Sequence, residues 1–366
     1  MPRCHSLSSV RRRSSRSRST SHRVARLAAP LIVLLLLLLG CSSQGPAPAN
    51  TPVPKPTDQS AAADTEGFVT PRRMPEGKGS GQPDQVFPRT VRHFQGQTTL
   101  PAEPRRVVVI STGQADAMLT LGVVPVGSTA GDGAELVPHY LFDAQPQQRE
   151  RLEAITDVGS RVAPNLEAIA TLNPDLILMN SAGKDAAALY ADLSSVAPTV
   201  ATQGTGLYWK QDFLLLADAL GRTDQARRWL DDFQQRAKSF GDGVVGDPTI
   251  SLLRKNGDRT RVFGIASFAG SVLEDAGLRR PEAQSFTDKT SRDISAEELN
   301  LADADWILHG VQGGNQGQLT GLPLWPNLQA VKENHAVAVD DDAFYLNVGP
   351  TAATLVLDAL RGSLGG

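Results

Sequence analysis

A small set of polar, charged and aromatic residues near the ends of predicted strands could bind an anionic or flat ligand. Arginine stays charged and can donate paired hydrogen bonds to a carboxylate. Aromatic rings offer flat faces to an aromatic, catecholate or macrocyclic ligand. The candidates are Thr112, Gln114, Lys184, Tyr208, Trp209, Arg261, Arg292 and Tyr345. Each has a plainer interpretation, because aromatic residues usually pack and isolated Arg and Lys are usually solvated.

The histidines do not support a metal ion bound directly by the protein. Beyond residue 40 the chain has only His93, His139, His309 and His335, which are widely spaced. A metal site needs His, Cys or carboxylate groups that converge. This spacing argues against a receptor for free zinc or manganese, and we expect no resident cofactor. At a strand end, His309 is typical of a hydrogen-bonded core group.

Catalytic templates are missing from the sequence. It contains no Gly-x-Ser-x-Gly elbow and no phosphate-binding Gly-x4-Gly-Lys loop. Residues 241–246 match the dinucleotide-binding glycine pattern, but they follow a predicted helix and lead into Asp247-Pro248. That pattern needs a strand before it and a helix after it, so we interpret this stretch as a connector. The sequence predicts that the protein is not an enzyme.

Two segments, 165–178 and 295–308, share one plan and carry the most distinctive pair of carboxylates. Each begins with a helix N-cap residue, Asn or Ser, whose side-chain oxygen can accept hydrogen bonds from the first turn. Glu167 and Glu297 follow at the same offset, where the helix dipole favours a negative charge. An aspartate and a short apolar run complete each copy. We interpret both as a helix, a tight turn and a parallel strand.

Apolar strands that alternate with helices predict sheets covered on both faces. The pattern divides the folded chain into an amino-terminal lobe at 89–205, linking helices at 206–241 and a carboxy-terminal lobe at 242–366. The second linking helix is predicted at 223–240. Residues 123–126 are predicted to form a strand, and Asn256-Gly257 predicts a hairpin turn.

The first forty residues have the pattern of an export signal. Eight arginines precede the short apolar run 30–40, which is too short to span a membrane. Residues 38–41 (LLGC) resemble a bacterial lipobox, which implies lipidation of Cys41. Residues 41–88 are rich in Pro, Gly, Ser and Ala and predict a disordered tether. We therefore expect an exported monomer anchored to the outer face of the cytoplasmic membrane.

The charge of the mature chain argues against nucleic acid as a partner. Removal of the eight signal arginines lowers the formal net charge from −3 to −11. Nucleic-acid binding needs a concentration of positive charge.

Several motifs together resemble the substrate-binding proteins of ABC transporters for ferric siderophores, haem and cobalamin. The resemblance covers the chain from about residue 89 to the carboxyl terminus. It is carried by residues 104–109 (PRRVVV), 121–127 (LGVVPVG), 173–178 (NPDLIL), 294–297 (ISAE) and 349–353 (GPTAA). Residues 261–264 and 286–289 are most similar to an actinobacterial branch described as binding iron dicitrate or siderophores.

The resemblance implies a fold and a function. The fold would be α/β, with two Rossmann-like lobes whose parallel-rich sheets are joined by a single long helix, as in class III periplasmic binding proteins. The ligand would be a ferric chelate held between the lobes. Glu167 and Glu297 would dock onto arginines of the ABC permease, forming a two-point contact that reports the spacing of the lobes.

Three alternatives remain open at this stage. The ligand could be haem or cobalamin rather than a siderophore. The protein could be an envelope adaptor that keeps the fold without transport. An extracellular hydrolase would require a nucleophile and base in the cleft, which the sequence does not offer.

Overall fold

The computed structural model describes residues 72–111, 113–131, 134–204 and 206–365. The predicted signal, Cys41 and Thr112 lie outside the described residues. None of the helices in the described part of the chain is both long and apolar enough to cross a membrane.

The amino-terminal lobe is built on a six-stranded sheet in the order β6-β5-β4-β3-β7-β8. Its strands are β3 (Val107–Val109), β4 (Gly127–Ala130), β5 (Thr156–Ser160), β6 (Ala163–Pro164), β7 (Leu176–Asn180) and β8 (Thr199–Thr202). All neighbours are parallel except β5 and β6. A separate antiparallel hairpin, β1 (Arg89–His93) and β2 (Gly96–Leu100), precedes this sheet.

Helices cover both faces of this sheet, as its continuous apolar strands require. They are α1 (Gln114–Thr120), α2 (His139–Ala144), α3 (Arg149–Glu153), α4 (Leu166–Thr171) and α5 (Ala186–Ser194). The strand predicted at 123–126 was placed too early, since β4 begins at Gly127. Pro125 lacks an N–H and cannot donate to a neighbouring strand, so pairing starts after it.

The carboxy-terminal lobe has a five-stranded mixed sheet in the order β11-β10-β9-β12-β13. Its strands are β9 (Ile250–Asn256), β10 (Arg259–Phe263), β11 (Ser291–Ile294), β12 (Trp306–Val311) and β13 (Ala336–Ala338). Strands β9, β12 and β13 are parallel, whereas β10 is antiparallel to both β9 and β11. The predicted hairpin turn is present, with Gly257 at a φ of +54°.

Helices and short helical turns complete this lobe. They are α8 (Phe268–Asp275), a 3₁₀ helix (Ala296–Ala302), α9 (Gly317–Thr320), α10 (Gln329–Lys332), a π-helical turn (Asp342–Leu346) and α11 (Pro350–Leu364). Helices α6 (Trp209–Ala219) and α7 (Thr223–Gly241) link the two lobes. The 19 residues of α7 form the long linking helix predicted from the sequence, and the two-lobed α/β prediction is confirmed.

The two copies of the repeated unit fold alike at their ends. The Asn165 side chain accepts a hydrogen bond from Ala168 N at 3.0 Å, and Ser295 forms a capping box with Glu298. The aspartate before each strand accepts hydrogen bonds from the backbone that leads into the neighbouring parallel strand. The pairs are Asp175 to Arg106 N at 2.9 Å and Asp305 to Thr249 N at 2.7 Å. The middle differs from the prediction, because the second copy forms a 3₁₀ helix.

Buried charges cross the junction between the lobes. Asp116 on α1 accepts hydrogen bonds from Thr351 N at 2.8 Å and Ala352 N at 2.9 Å, in the first turn of α11. Lys210 on α6 forms a buried ion pair with Asp275 on α8. Uncompensated buried charge is very unfavourable, so these contacts resist any change in the lobe spacing.

The folded part begins earlier than the sequence predicts. Ser80 N and Oγ each donate to Asp218 at 2.7 Å, and Arg72 pairs with Asp231 on α7. Residues 72–88 are therefore attached to the linking helices α6 and α7, which corrects the prediction of a disordered tether up to residue 88. Composition misses this because the segment is held by polar contacts with distant residues and by Met74 and Phe87, two apolar side chains that pack against the core.

Candidate functional site

A cavity of about 460 Å³ lies between the lobes. We call its two sides the amino-terminal wall and the carboxy-terminal wall. The amino-terminal wall includes Ser111, Gly113, Gln114, Asn180 and Thr202. The carboxy-terminal wall includes Arg261, Phe263, Ser267, Tyr345 and Asn347. Trp209, Asp212 and Phe213 of α6 form the floor, so the linking region closes the bottom of the cleft.

Gln114 is the central polar side chain of the amino-terminal wall. It is 6% exposed, and its Nε2 donates to Met179 O at 2.9 Å and Thr202 Oγ1 at 3.3 Å. These bonds fix the side chain between the ends of β7 and β8. The neighbouring Gly113 has a φ of +83°, and a Cβ there would collide with Val348 O. Only glycine allows the two walls to approach so closely at this point.

Arg261 gives the carboxy-terminal wall its charge. Its two arginine neighbours are neutralised: Arg254 pairs with Asp341 and Arg259 pairs with Asp293, each through two hydrogen bonds of 2.7–2.9 Å. In the part of the chain that the structure describes, Arg261 forms no ion pair, and its buried Nε has no hydrogen-bond partner.

The surroundings of Arg261 also affect its acidity. Burial, and then the charges of Arg254 and Arg259, lower the pKa of Arg261 from its usual value. Arginine nevertheless stays protonated at neutral pH. The cleft therefore holds a half-buried positive charge that an anion can neutralise.

Aromatic residues shape the cleft mainly through packing. The Tyr345 ring lies 4.8 Å from that of Phe263, and its hydroxyl donates to Leu308 O at 2.8 Å. Trp209 is 3% exposed and donates its indole N–H to Ser271 Oγ at 3.1 Å. The hydroxyl proton and the indole N–H are both already donated, so these rings can offer a ligand a contact surface but no further hydrogen-bond donor.

The floor contains a carboxyl group that sequence reasoning missed. Asp212 accepts hydrogen bonds from Gln203 N and Gly204 N, both at 2.8 Å. Burial raises the pKa of Asp212 to about 7, although these two bonds favour the charged form. A signal was available: Asp212 lies one turn from Trp209 and beside Phe213, on the apolar face of a helix.

The structure brings four of the predicted ligand-binding residues together: Gln114, Trp209, Arg261 and Tyr345 all border the cavity. Three others lie outside its lining, which corrects their predicted placement. Arg292 pairs with Asp288 at 2.9 Å and lies over the Phe286 ring, because its neighbour Ser291 faces the cavity and successive strand residues point to opposite faces.

Lys184 and Tyr208 are the other two residues outside the lining. Lys184 is exposed in the loop after β7, and Tyr208 is partly buried just before α6. Adjacent helix positions point in different directions, so Trp209 faces the cavity while Tyr208 does not. The sequence analysis also missed Asn347, which lies between Leu346 and Val348 in a segment without helical or strand periodicity.

Glu167 and Glu297 occupy equivalent places in the two lobes. Each is exposed in the first turn after its cap residue. Among the described residues, neither carboxylate belongs to an ion pair. Strand β11 leads directly into the second unit, whereas the two-residue strand β6 lies between β5 and the first unit. Their role in docking stays a prediction.

His309 is a hydrogen-bonded core residue, as predicted. Its Nδ1 lies 3.1 Å from Gln316 Oε1, and its ring meets Trp325 edge to face. Burial lowers the pKa of His309 to about 4. Among the described residues, no group of three or more His, Cys, Asp or Glu side chains is placed to hold a metal ion.

Comparison with known proteins places these features in a family. The sequence model of the family described as periplasmic binding protein matches residues 107–343. This range includes both sheets and both linking helices, so the match covers the two lobes and the cleft between them.

Curated relatives match over most of their length. The chain is 31% identical over 290 residues to the probable siderophore-binding lipoprotein YfiY of Bacillus subtilis, covering 75% of this chain and 86% of that protein. It is 25% identical over 264 residues to the Fe(3+) dicitrate-binding periplasmic protein FecB of Escherichia coli, covering 71% of this chain and 84% of FecB.

A solved structure shares the fold. Staphylococcus aureus SirA in complex with staphyloferrin B superposes with a TM-score of 0.65 at 27% identity, covering 75% of this chain and 98% of SirA. The predicted fold class is confirmed by this likeness. The protein therefore belongs to the periplasmic binding protein family, whose members are substrate-binding transport proteins and not enzymes.

Proposed function

We propose that this protein is a lipid-anchored receptor that holds an anionic ferric chelate, a siderophore or a related complex, in the cleft and delivers it to an ABC permease. The observation that carries the proposal is Arg261, a half-buried guanidinium without an ion pair on the wall of a cavity between two lobes. The relatives named for siderophores and ferric citrate support the same ligand class.

The chemistry of the cleft favours an anionic cargo. In a partly dry cavity a guanidinium attracts a carboxylate or catecholate more strongly than it does in water. The Phe263 and Tyr345 rings provide flat surface beside it. The iron enters as cargo inside its chelate, so the protein needs no metal ligands of its own.

Delivery would use the two exposed glutamates. Glu167 and Glu297 give each lobe one unpaired carboxylate, which suits arginines on a permease. A single chain carries both carboxylates, so we expect the protein to act as a monomer. Lipidation at Cys41 would keep it at the outer face of the cytoplasmic membrane, where the permease is accessible.

Tryptophan fluorescence tests the ligand. Trp209 lies on the floor of the cavity, so a bound iron chelate should quench it saturably. We expect ferric citrate or a carboxylate siderophore to quench at a stoichiometry near one, and haem and cobalamin to quench weakly. A Trp209→Phe variant identifies the responding residue. No saturable response to any of these ligands would refute the proposal.

Uptake in cells tests delivery. Glu167→Ala combined with Glu297→Ala should abolish chelate uptake while purified protein still binds the chelate. Glu150→Ala is the matched control, because Glu150 is also an exposed first-turn glutamate but lies outside the repeated unit. Normal uptake by the double variant would instead favour an adaptor.

A further inference from the structure

Two amide side chains bordering the cavity leave one polar atom each without a partner. Gln114 Oε1 and Asn347 Nδ2 are buried and form no hydrogen bond, and each residue is only 6% exposed. Buried polar atoms are almost always hydrogen-bonded, and leaving one without a partner is unfavourable. Both residues border the cavity, so a ligand that fills the cleft could supply the missing hydrogen bonds.

The two amides lie close to the same contact between the lobes. Gly113 packs against Val348 O so tightly that no Cβ fits between them. Gln114 and Asn347 are the sequence neighbours of these contacting residues, one from each lobe. Both border the cavity, so a cargo that fills the cleft passes beside both amides.

Asn347 belongs to the same wall as Arg261. It lies two residues after Tyr345, whose ring packs on Phe263, and Arg261 lies 5.6 Å from that Phe263 ring. The carboxy-terminal wall therefore offers two kinds of unused donor, a guanidinium and an amide N–H. The amino-terminal wall offers an acceptor, because Gln114 Nε2 is already bound to Met179 O.

We propose that Asn347 is a specificity-determining ligand contact whose amide N–H donates to an anionic oxygen of the chelate, while Gln114 Oε1 accepts an N–H or O–H of the same chelate. This inference rests on the proposed function and refines it. The cargo is a carboxylate or catecholate chelate that also carries an amide or hydroxyl donor, and one of its anionic oxygens meets Asn347 on the carboxy-terminal wall. Terminal amide torsions are soft, so the Asn347 amide can turn to meet it, whereas the bonds from Gln114 Nε2 hold the Gln114 Oε1 acceptor in place.

Affinity measurements on variants of Asn347 test the proposal, with ferric citrate as the probe. Asn347→Asp replaces the donor by a negative charge, and we expect affinity to fall at least tenfold. Asn347→Leu removes the donor without adding charge, and we expect a loss of about fivefold, equivalent to the roughly 1 kcal/mol of one hydrogen bond. Thermal unfolding of each variant establishes that it is folded.

Asn180→Asp is the matched control. Asn180 borders the same cavity, but its Oδ1 already accepts a hydrogen bond from Ala182 N at 3.1 Å. The variant adds the same charge to the cleft and keeps the bonded Oδ1 acceptor, and the N–H donor that it removes is not a buried atom without a partner, so we expect a loss of less than threefold. Equal losses in Asn180→Asp and Asn347→Asp would overturn the proposal, since charge alone would then explain both.

Two further results would also overturn it. If Asn347→Leu and Gln114→Met lower stability non-additively and leave affinity unchanged, the amides bond to each other rather than to cargo. A structure of the complex in which an ordered water, rather than the chelate, bonds to the two atoms would also overturn the proposal. Failure of the wild-type protein to bind any ferric chelate would refute the proposed function itself, which separates the two claims.

Discussion

The two lobes contain the same helix, turn and strand unit but present different walls to the cleft. In both, an aspartate before the strand ties the turn to the neighbouring strand, and a glutamate is exposed in the first helical turn. The amino-terminal wall nevertheless offers mainly small and uncharged groups such as Ser111 and Gln114, with Arg161 as its cation. The carboxy-terminal wall offers a cation and aromatic rings.

This difference shows that the repeated unit forms part of each lobe's framework but not the walls of the cleft. The repeated units build the frame and place the two exposed carboxylates. The walls come from other segments: β10 and the π-helical turn in one lobe, and the loops after β3, β7 and β8 in the other. A symmetrical frame thus holds a cleft with unlike walls, in which the Phe263 and Tyr345 rings lie on the side of Arg261.

The two walls keep their positions only if the spacing of the lobes is fixed. Replacing Lys210, which forms the buried ion pair with Asp275, should have the largest effect. Lys210→Met leaves the Asp275 carboxyl buried without its cation, so we expect the free energy of unfolding to fall by about 3–5 kcal/mol. Lys210→Met with Asp275→Leu should recover most of it. Urea denaturation measures both, and a loss below about 1 kcal/mol in the single variant would argue against the ion pair as a clamp.

Asp212 lies on the floor of the cavity, and its ionisation makes both the charge of the cavity and the stability of the protein depend on pH. Its folded pKa of about 7 is raised above the unfolded value near 4, so the folded state binds the extra proton between these limits. Stability from this group is greatest below pH 4 and is lost as the pH rises to about 7. Asp212→Asn should remove this loss, which is about 4 kcal/mol because the pKa rises from near 4 to about 7 and each pKa unit corresponds to about 1.4 kcal/mol.

Denaturation of the wild type and Asp212→Asn across pH 4 to 8 checks this. The difference between the two proteins should change across the interval and become constant above it. Parallel stability curves would show that Asp212 ionises normally. Ferric citrate affinity should also fall above pH 7 in the wild type, because the ionised carboxylate repels an anion.

The charge of the carboxy-terminal wall is tested directly by Arg261→Met. We expect affinity for ferric citrate to fall about 10- to 100-fold, since the variant removes the unpaired cation. Arg292→Met is the matched control, because Arg292 is on the adjacent strand but outside the cavity lining. Isothermal titration calorimetry should show less than a twofold change for the control, and similar losses in both would place the anion site elsewhere.

The smallest expected effect on stability concerns the aspartate that precedes the strand in each repeated unit. Asp175→Ala and Asp305→Ala each remove charge-assisted hydrogen bonds to backbone N–H groups at an exposed position, so we expect each to lower unfolding free energy by about 1 kcal/mol. Thermal unfolding should give losses that agree within about 0.5 kcal/mol. A large loss in only one variant would show that the two aspartates do not have the same structural role.

Many of the helices, strands and turns could be predicted from the sequence because the signals for them are local. N-cap residues, the Asn256-Gly257 turn and apolar periodicity all act within a few residues, and the structure contains the elements they predict. The start of the fold at residue 72 was missed because Ser80 depends on Asp218, which is distant in sequence.

The cleft was only partly predictable for a related reason. Arg261 and Arg292 look equivalent in the sequence, and only the strand register separates the residue that faces the cavity from the one that does not. Asn347 is proposed as a ligand contact because of its place beside the contact between the lobes at Gly113 and Val348. No local pattern contains that information.

The most direct test of the account is the position of iron in crystals grown with a ferric chelate. Anomalous diffraction at the iron absorption edge should give one strong peak in the cavity between the lobes, with chelate oxygens towards Arg261 and Asn347. A peak outside the cleft, or a cleft that stays empty while the chelate is bound in solution, would contradict it.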